Sequence, residues 1–101
     1  AKAFDGAALF SEFIAAPVDP LELRLELWVD RALRQSGEAT AMLYKPSVIV
    51  GELNTFLTLD DFDVIMTGTP AGVGPIAVGE HFEARLLQSD STLISASWTA
   101  L

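Results

Sequence analysis

Alternation of apolar and charged residues across positions 21–29 constrains the fold more than any other feature of this sequence. The odd-numbered positions are all Leu or Val, and between them stand Glu22, Arg24, Glu26 and Trp28. Successive side chains of a β-strand point to opposite faces, so this period of two predicts a strand with one apolar face. Asp30-Arg31-Ala32 then turns the chain, and residues 33–36 pair back as a hairpin. Asp30-Arg31 lacks the Asn-Gly pair that favours a tight primed turn.

The remaining segments predict a mainly β fold with a minor α component. Residues 2–14 have weak periodicity and indicate short extended segments and loops. Pro46 precedes a helix over residues 47–56, since proline suits the start of a helix. The apolar run at 64–66 indicates a short buried strand, and 82–87 and 92–99 indicate two more. The total is five or six strands and one helix.

The segment from Asp63 to Gly74 carries the clearest functional signal. It reads Asp-Val-Ile-Met-Thr-Gly-Thr-Pro-Ala-Gly-Val-Gly. The apolar run delivers the hydroxyls of Thr67 and Thr69 into a loop where glycines such as Gly68 let the backbone approach a ligand closely. The loop therefore suits an anion such as a carboxylate. The alternative is an ordinary junction between a strand and a turn.

Three other side chains are candidates for chemistry. Lys2 can pair with a substrate carboxylate or steady an enolate oxygen, and its alternative is a solvated terminal lysine. The Gln35 amide either orients a substrate oxygen or simply ends the hairpin. His81 is the only histidine, and beside Glu80 and Glu83 it is interpreted as a surface residue. The acidic clusters of the sequence form no complete ligand set for a divalent cation.

Several separated motifs occur in one order along the chain. They are Ala1-Lys2-Ala3-Phe4-Asp5-Gly6, then Leu33-Arg34-Gln35-Ser36-Gly37 with Thr40 and Met42, then Leu57-Thr58-Leu59, and after the glycine-rich loop Pro75, Gly79 and Glu80. This series resembles the C-terminal half of the fumarylacetoacetate hydrolase family, most of all its acylpyruvase branch. The resemblance runs from Ala1 to about Leu87. It implies part of a mixed β-sandwich or roll built around a metal site.

The resemblance also implies roles for individual residues. Lys2 would face the substrate and the metal, and Thr69 would hold the carboxylate of a 2-oxo acid with help from Thr67 and Gly68. Thr40 and Met42 would shape the pocket wall. The family binds Mg²⁺, or Mn²⁺ or Ca²⁺, through acidic residues upstream of the Lys2 motif, so no metal ligand is expected here. Residues 1–101 are thus expected to be a partial domain, inactive without the missing N-terminal half, and the whole protein a homodimer.

Three functions remain open. The first is a hydrolase that cleaves a C–C bond in acylpyruvate-type 2,4-dioxo acids. The second is an isomerase of 2-hydroxyhepta-2,4-diene-1,7-dioate or an oxaloacetate-type decarboxylase of aromatic catabolism, since both need the same enolate stabilisation. The third is a non-catalytic module in which residues 21–29 form an exposed edge strand that pairs with another chain.

Charge and composition exclude several classes of partner. The net charge is −8, from 14 acidic and 6 basic residues, which disfavours binding to nucleic acid or to anionic membranes. The sequence has no Cys, so it forms no disulfide, which fits a cytoplasmic protein. Half of the residues are hydrophobic, and no apolar run has the length of a membrane span.

Overall fold

An antiparallel sheet of four strands organises the chain. The computed structural model describes residues 4–101. The strands are β1 (Leu23–Val29), β2 (Ala32–Glu38), β3 (His81–Gln88) and β4 (Ser91–Thr99). They lie in the order β2-β1-β3-β4, and each neighbouring pair is antiparallel. The connection from β2 to β3 holds a 3₁₀ turn (Ala39–Ala41) and the helix α1 (Pro46–Leu53), and a second 3₁₀ turn (Pro20–Glu22) precedes β1.

Both hairpins close with two-residue turns of the primed type. Asp30 and Arg31 have φ angles of 48° and 68°, and Ser89 and Asp90 have φ angles of 48° and 66°. Positive φ at both central residues matches the right-handed twist of the paired strands. The Asp30 carboxylate also accepts a hydrogen bond from the His81 backbone N–H at 3.0 Å. The tight turn therefore forms at Asp30-Arg31 without an Asn-Gly pair.

Each hairpin also carries a β-bulge at the same distance from its turn. Leu27 pairs with Gln35 and Trp28 pairs with Leu33, so Arg34 is an extra residue on β2. In the second hairpin the register shifts between Leu86 and Leu87 in the same way. A bulge bends its strand and re-aims the neighbouring side chains. On β2 it does so next to Gln35.

The sheet has one apolar and one polar face, as the alternation in β1 predicts. On the apolar face Leu25 lies opposite Leu86, and Val29 lies opposite Phe82. The Phe82 and Trp98 rings stack there with centroids 5.6 Å apart. Val29, Phe82 and Leu87 are the buried hydrophobic residues of the described chain. Many other apolar side chains stay exposed, among them Leu25 at 47% and Trp98 at 43%.

Three of the sequence predictions about strands are corrected by the structure. The described residues form four strands rather than five or six. Residues 64–66 are not a strand, since they take part in none of the ladders of the described sheet, and Met66 is 78% exposed. Residues 21–29 do not provide an exposed edge, because β1 is central and pairs with both β2 and β3. That position removes the edge on which the interpretation as a strand-pairing module depended.

The predicted helix is confirmed as α1, which covers Pro46–Leu53 rather than 47–56. Pro46 stands in its first turn, as expected. The backbone N–H of the C-cap residue Asn54 still bonds to the carbonyl of Val50, and residues 54–56 continue as turns. None of the helices within residues 4–101 is long and apolar enough to cross a membrane.

Candidate functional site

A cavity of about 870 Å³ lies against the apolar face of the sheet. Its walls come from β1 and β2, from the segment that leads into α1, and from the glycine-rich loop. Leu23, Leu25 and Gly37 form the sheet side, and Met42, Tyr44 and Ile49 form the helix side. Thr67, Gly68, Thr69 and Pro70 form the third side. The structure thus brings the three loop residues predicted to bind substrate to a single wall.

The glycine-rich loop runs along β2 in the opposite direction at close range. Pro70 lies over Gly37, where an added Cβ would stand 3.0 Å from the Pro70 Cβ. Two residues later, Gly72 lies over the bulge, where an added Cβ would stand 2.3 Å from the Arg34 carbonyl oxygen. Gly72 also has φ +109°, which side-chain-bearing residues rarely adopt. Glycine at position 72 therefore permits the contact between loop and strand.

The Gln35 amide is the polar link between β2 and the loop. Its Nε2 donates to the Thr69 hydroxyl oxygen at 3.0 Å and to the Pro70 carbonyl oxygen at 2.7 Å. Gln35 is half-buried beneath the loop and is not part of the cavity wall. The structure therefore brings Gln35 together with Thr69, as parts of one site, through a contact that spans 34 positions.

Arg34 holds the far end of the same loop. Its Nη2 lies 3.8 Å from Oε1 of Glu80, and its Nη1 would lie 3.0 Å from a Cβ added at Gly74. Glu80 in turn accepts a hydrogen bond from the Ala77 backbone N–H at 2.8 Å. Arg34 was not predicted as a functional residue, and in the sequence it is visible only as a member of the motif that contains Gln35. The sequence feature that could have identified Arg34 is its position next to Gln35. The bulge lets these two consecutive side chains reach the same loop.

Lys45 braces the helix side of the cavity, and it was also missed. Its ammonium group donates to the backbone carbonyls of Thr40 and Met42, the latter at 3.1 Å. Met42 lines the cavity as predicted, whereas the Thr40 hydroxyl turns to the Glu38 carboxylate at 3.3 Å. Glu38 lies opposite Arg24 in the sheet, so its carboxylate belongs to the polar face. The helix side is thereby fixed through backbone carbonyls rather than through a side-chain cap.

The ionisable groups with perturbed pKa values lie on the opposite face of the sheet. The pKa of Glu83 is lowered, first by its hydrogen bond with Arg85 and also by the positive charge of that guanidinium. The same hydrogen bond raises the pKa of Arg85, which lies 5.0 Å from the centroid of the Trp28 ring. The pKa of Arg24 is raised mainly by its hydrogen bond to Asp90. These pairs organise the polar face and take no part in the cavity.

The remaining predicted residues do not join the cavity. Lys2 lies outside the described residues, so its role stays a prediction. His81 is exposed at the start of β3 and lines no part of the cavity. Within residues 4–101, no group of three or more His, Asp or Glu side chains is arranged to hold a metal ion. The described residues therefore do not by themselves form a metal centre.

Known proteins share this fold and sequence pattern. A family model described as fumarylacetoacetate (FAA) hydrolase C-terminal matches residues 1–98. Oxaloacetate tautomerase FAHD1, mitochondrial, of Homo sapiens is 37% identical over 86 residues, which are 83% of this chain and 39% of that protein. A fumarylacetoacetate hydrolase family protein from Yersinia pestis CO92 superposes with a TM-score of 0.83 at 30% identity, over 100% of this chain and 45% of that one.

A second similar structure was solved with bound ligands. It is the maleylpyruvate hydrolase from Sphingobium sp. SYK-6 in complex with manganese (II) ion and pyruvate, with a TM-score of 0.75 and 28% identity. The match covers 85% of this chain and 31% of that one. The present chain thus spans less than half the length of each of these three proteins.

Proposed function

Because this chain belongs to the fumarylacetoacetate hydrolase family, we propose that the whole protein is an enzyme that interconverts the keto and enol forms of an oxaloacetate-type 2-oxo acid. Proteins similar to the chain include tautomerases, hydrolases and isomerases. The tautomerase named above is 37% identical to it. That similarity favours tautomerisation over the other family reactions.

One observation carries the proposal at the level of residues. The Thr69 hydroxyl stands in the cavity wall beside Thr67 and Gly68, and Gln35 holds it in place. Hydroxyl and N–H donors that meet an ionised carboxylate form charge-assisted hydrogen bonds, which are stronger than neutral ones. The substrate carboxylate is therefore held at the threonine side.

The metal and Lys2 belong to the proposal in different ways. A divalent cation, Mn²⁺, Mg²⁺ or Ca²⁺, is proposed for the whole protein, supported by the manganese ion in the similar maleylpyruvate hydrolase. Its ligands would come from outside this chain, since residues 4–101 contain no suitable cluster. A bound cation would supply a Lewis acid. Lys2 is proposed to steady the enolate oxygen of the substrate, as the family motif implies.

A second candidate function is C–C bond hydrolysis of an acylpyruvate, supported by the similarity to maleylpyruvate hydrolase. Decarboxylation and dienedioate isomerisation pass through similar enolates and share these residues. Assays of the full-length protein with Mn²⁺ or Mg²⁺ would separate the reactions. Enol-oxaloacetate should lose its ultraviolet absorbance without release of CO₂, and acetylpyruvate should be cleaved slowly or not at all. Faster pyruvate release from acetylpyruvate than enol loss from oxaloacetate would overturn the tautomerase proposal.

Replacement of Thr69 tests the carboxylate site. Thr69→Val keeps the shape but removes one hydrogen bond to an ionised group, worth about 1.5–3 kcal/mol, so KM should rise roughly ten- to hundredfold. The matched control is Thr58→Val, an exposed threonine that does not line the cavity. Its KM should equal that of the wild type. If both variants have wild-type KM values, Thr69 does not bind the substrate.

The exposed apolar side chains support a proposal about partners. We propose that the rest of the same protein covers the apolar side chains near Leu25 and Trp98, which this chain leaves exposed. A homodimer and a cytoplasmic location also remain proposals. Light scattering of the full-length protein would test the dimer, and a monomeric mass at working concentration would contradict it.

A further inference from the structure

Chemistry fixes the orientation of the Gln35 amide. One end of this amide lies 2.7 Å from the Pro70 carbonyl oxygen. A carbonyl oxygen only accepts hydrogen bonds, so the atom that faces it must be the amide nitrogen. The same nitrogen lies 3.0 Å from the Thr69 hydroxyl oxygen. An amide NH₂ group has two donors and accepts nothing, so the hydroxyl oxygen of Thr69 must be the acceptor in that bond.

This bond decides what the Thr69 hydroxyl can offer to a ligand. Because the oxygen accepts from Gln35, its own proton points elsewhere. Within residues 4–101 the Thr69 hydroxyl donates to no acceptor of the protein. One lone pair of the oxygen is thus occupied and its proton is left for a ligand, which suits an anion because an ionised acceptor makes the stronger hydrogen bond.

Packing keeps Gln35 in this orientation. The bulge at Arg34 places Gln35 opposite Leu27, on the same face of β2 as Gly37, where the loop crosses the strand. Gly72 lies so close that a Cβ added there would stand 2.9 Å from the Gln35 Cγ. The Gln35 side chain therefore has little room for another rotamer while the loop is in place. The bond from Gln35 to the Thr69 hydroxyl is thus in place before any ligand arrives.

We propose that Gln35 is a positioning residue that keeps the Thr69 proton available to a ligand in the cavity, and so favours carboxylate ligands over neutral amides. This inference rests on the proposed function, because it assumes that Thr69 meets the ligand. It adds a determinant of specificity that lies outside the cavity wall. Gln35 acts through Thr69 and does not need to touch the ligand.

The decisive experiment reverses the polarity of the hydrogen bond. Gln35→Glu keeps the shape but replaces the donor by a carboxylate, which accepts the Thr69 proton and turns the hydroxyl oxygen's lone pairs toward the cavity. Binding of pyruvate and of pyruvamide, its neutral amide, is measured by calorimetry on the full-length protein with Mn²⁺ bound. The wild type should prefer pyruvate. In Gln35→Glu the ratio of the two Kd values should shift toward pyruvamide by at least tenfold.

A purely structural role for Gln35 predicts a different result. A loosened loop weakens the binding of both ligands by the same factor. An unchanged ratio of the two Kd values would therefore overturn the inference. A second variant, Gln35→Met, keeps the volume and removes both donors, which frees the hydroxyl to rotate. Its preference for pyruvate should fall about threefold, and this variant decides the matter if Gln35→Glu does not fold.

The outcomes also separate this inference from the proposed function. Wild-type protein that binds neither compound refutes the proposed 2-oxo acid site, and the role of Gln35 falls with it. Wild-type protein that binds pyruvate, together with variants that keep the wild-type ratio, refutes only the role of Gln35. Thr69→Val with the uncharged Gln35→Met should show no further change in the ratio beyond Thr69→Val alone, because the effect passes through the hydroxyl.

Discussion

Replacement of Gly72 by alanine should separate the loop from the sheet. Gly72 has φ +109°, and an added Cβ would stand 2.3 Å from the Arg34 carbonyl oxygen. An ordinary contact between carbon and a carbonyl oxygen is about 3.3 Å, so loop and bulge would have to move apart by about 1 Å. A movement of that size would also break the bonds from Gln35 to Thr69 and Pro70, because both depend on the same close approach.

The free energy of this change follows from its two parts. Positive φ outside the left-handed region costs a side-chain-bearing residue about 2 kcal/mol. Two lost hydrogen bonds cost about 1 kcal/mol each. Gly72→Ala should therefore lower the free energy of unfolding by about 4 kcal/mol, a large fraction of the roughly 5–15 kcal/mol typical of a domain.

Gly79→Ala is the matched control for the free-energy cost of positive φ. Gly79 has φ +89°, and in the described chain no atom would lie within 4 Å of an added Cβ. Its cost should be the strain alone, about 2 kcal/mol. Urea denaturation of both full-length variants, monitored by circular dichroism, measures the difference. The comparison requires that both variants have the same slope m of unfolding free energy against urea concentration. Equal destabilisation by the two substitutions would refute the close contact between Gly72 and the bulge.

Two further predictions concern the hairpin turn and the polar face. Arg31→Gly should stabilise the protein by about 1 kcal/mol relative to Arg31→Ala in urea denaturation, because glycine adopts the φ of 68° without strain; equal midpoints would argue against a primed turn. Arg85 lowers the pKa of Glu83 below its ordinary 4.5, so this pair stabilises the fold above that pH, and the stability is lost as pH falls through the folded pKa. As the pH falls below 4.5, the free energy of unfolding of Glu83→Gln should therefore decrease less than that of the wild type. An equal decrease in both proteins would contradict this.

Hydrophobic periodicity predicted the strands whose partners lie nearby in the chain. The alternation over 21–29 gave β1, and β2 and β4 were placed because each hairpin joins adjacent segments. Periodicity does not show whether a segment has a neighbouring strand to pair with. The apolar run at 64–66 was wrongly predicted as a strand for this reason. It also did not show that β3 would pair with β1 and so remove its free edge. Such pairing depends on the long connection between β2 and β3.

The residue types of the candidate site were visible in the sequence, but the contacts between them were not. Thr67, Gly68 and Thr69 do share a cavity wall, and their hydroxyls and glycine were visible in the sequence. The bond from Gln35 to Thr69 depends on one extra residue in β2, since without the bulge at Arg34 the side chain of residue 35 would follow a different register. A close approach at Gly72 was foreseeable from the glycine, but the surface that it approaches was not. A regular ladder counted from the turn would place residue 35 opposite Glu26, on the other face of the sheet; the extra residue at Arg34 instead places Gln35 opposite Leu27, on the face that the loop covers, and no sequence periodicity reports that shift.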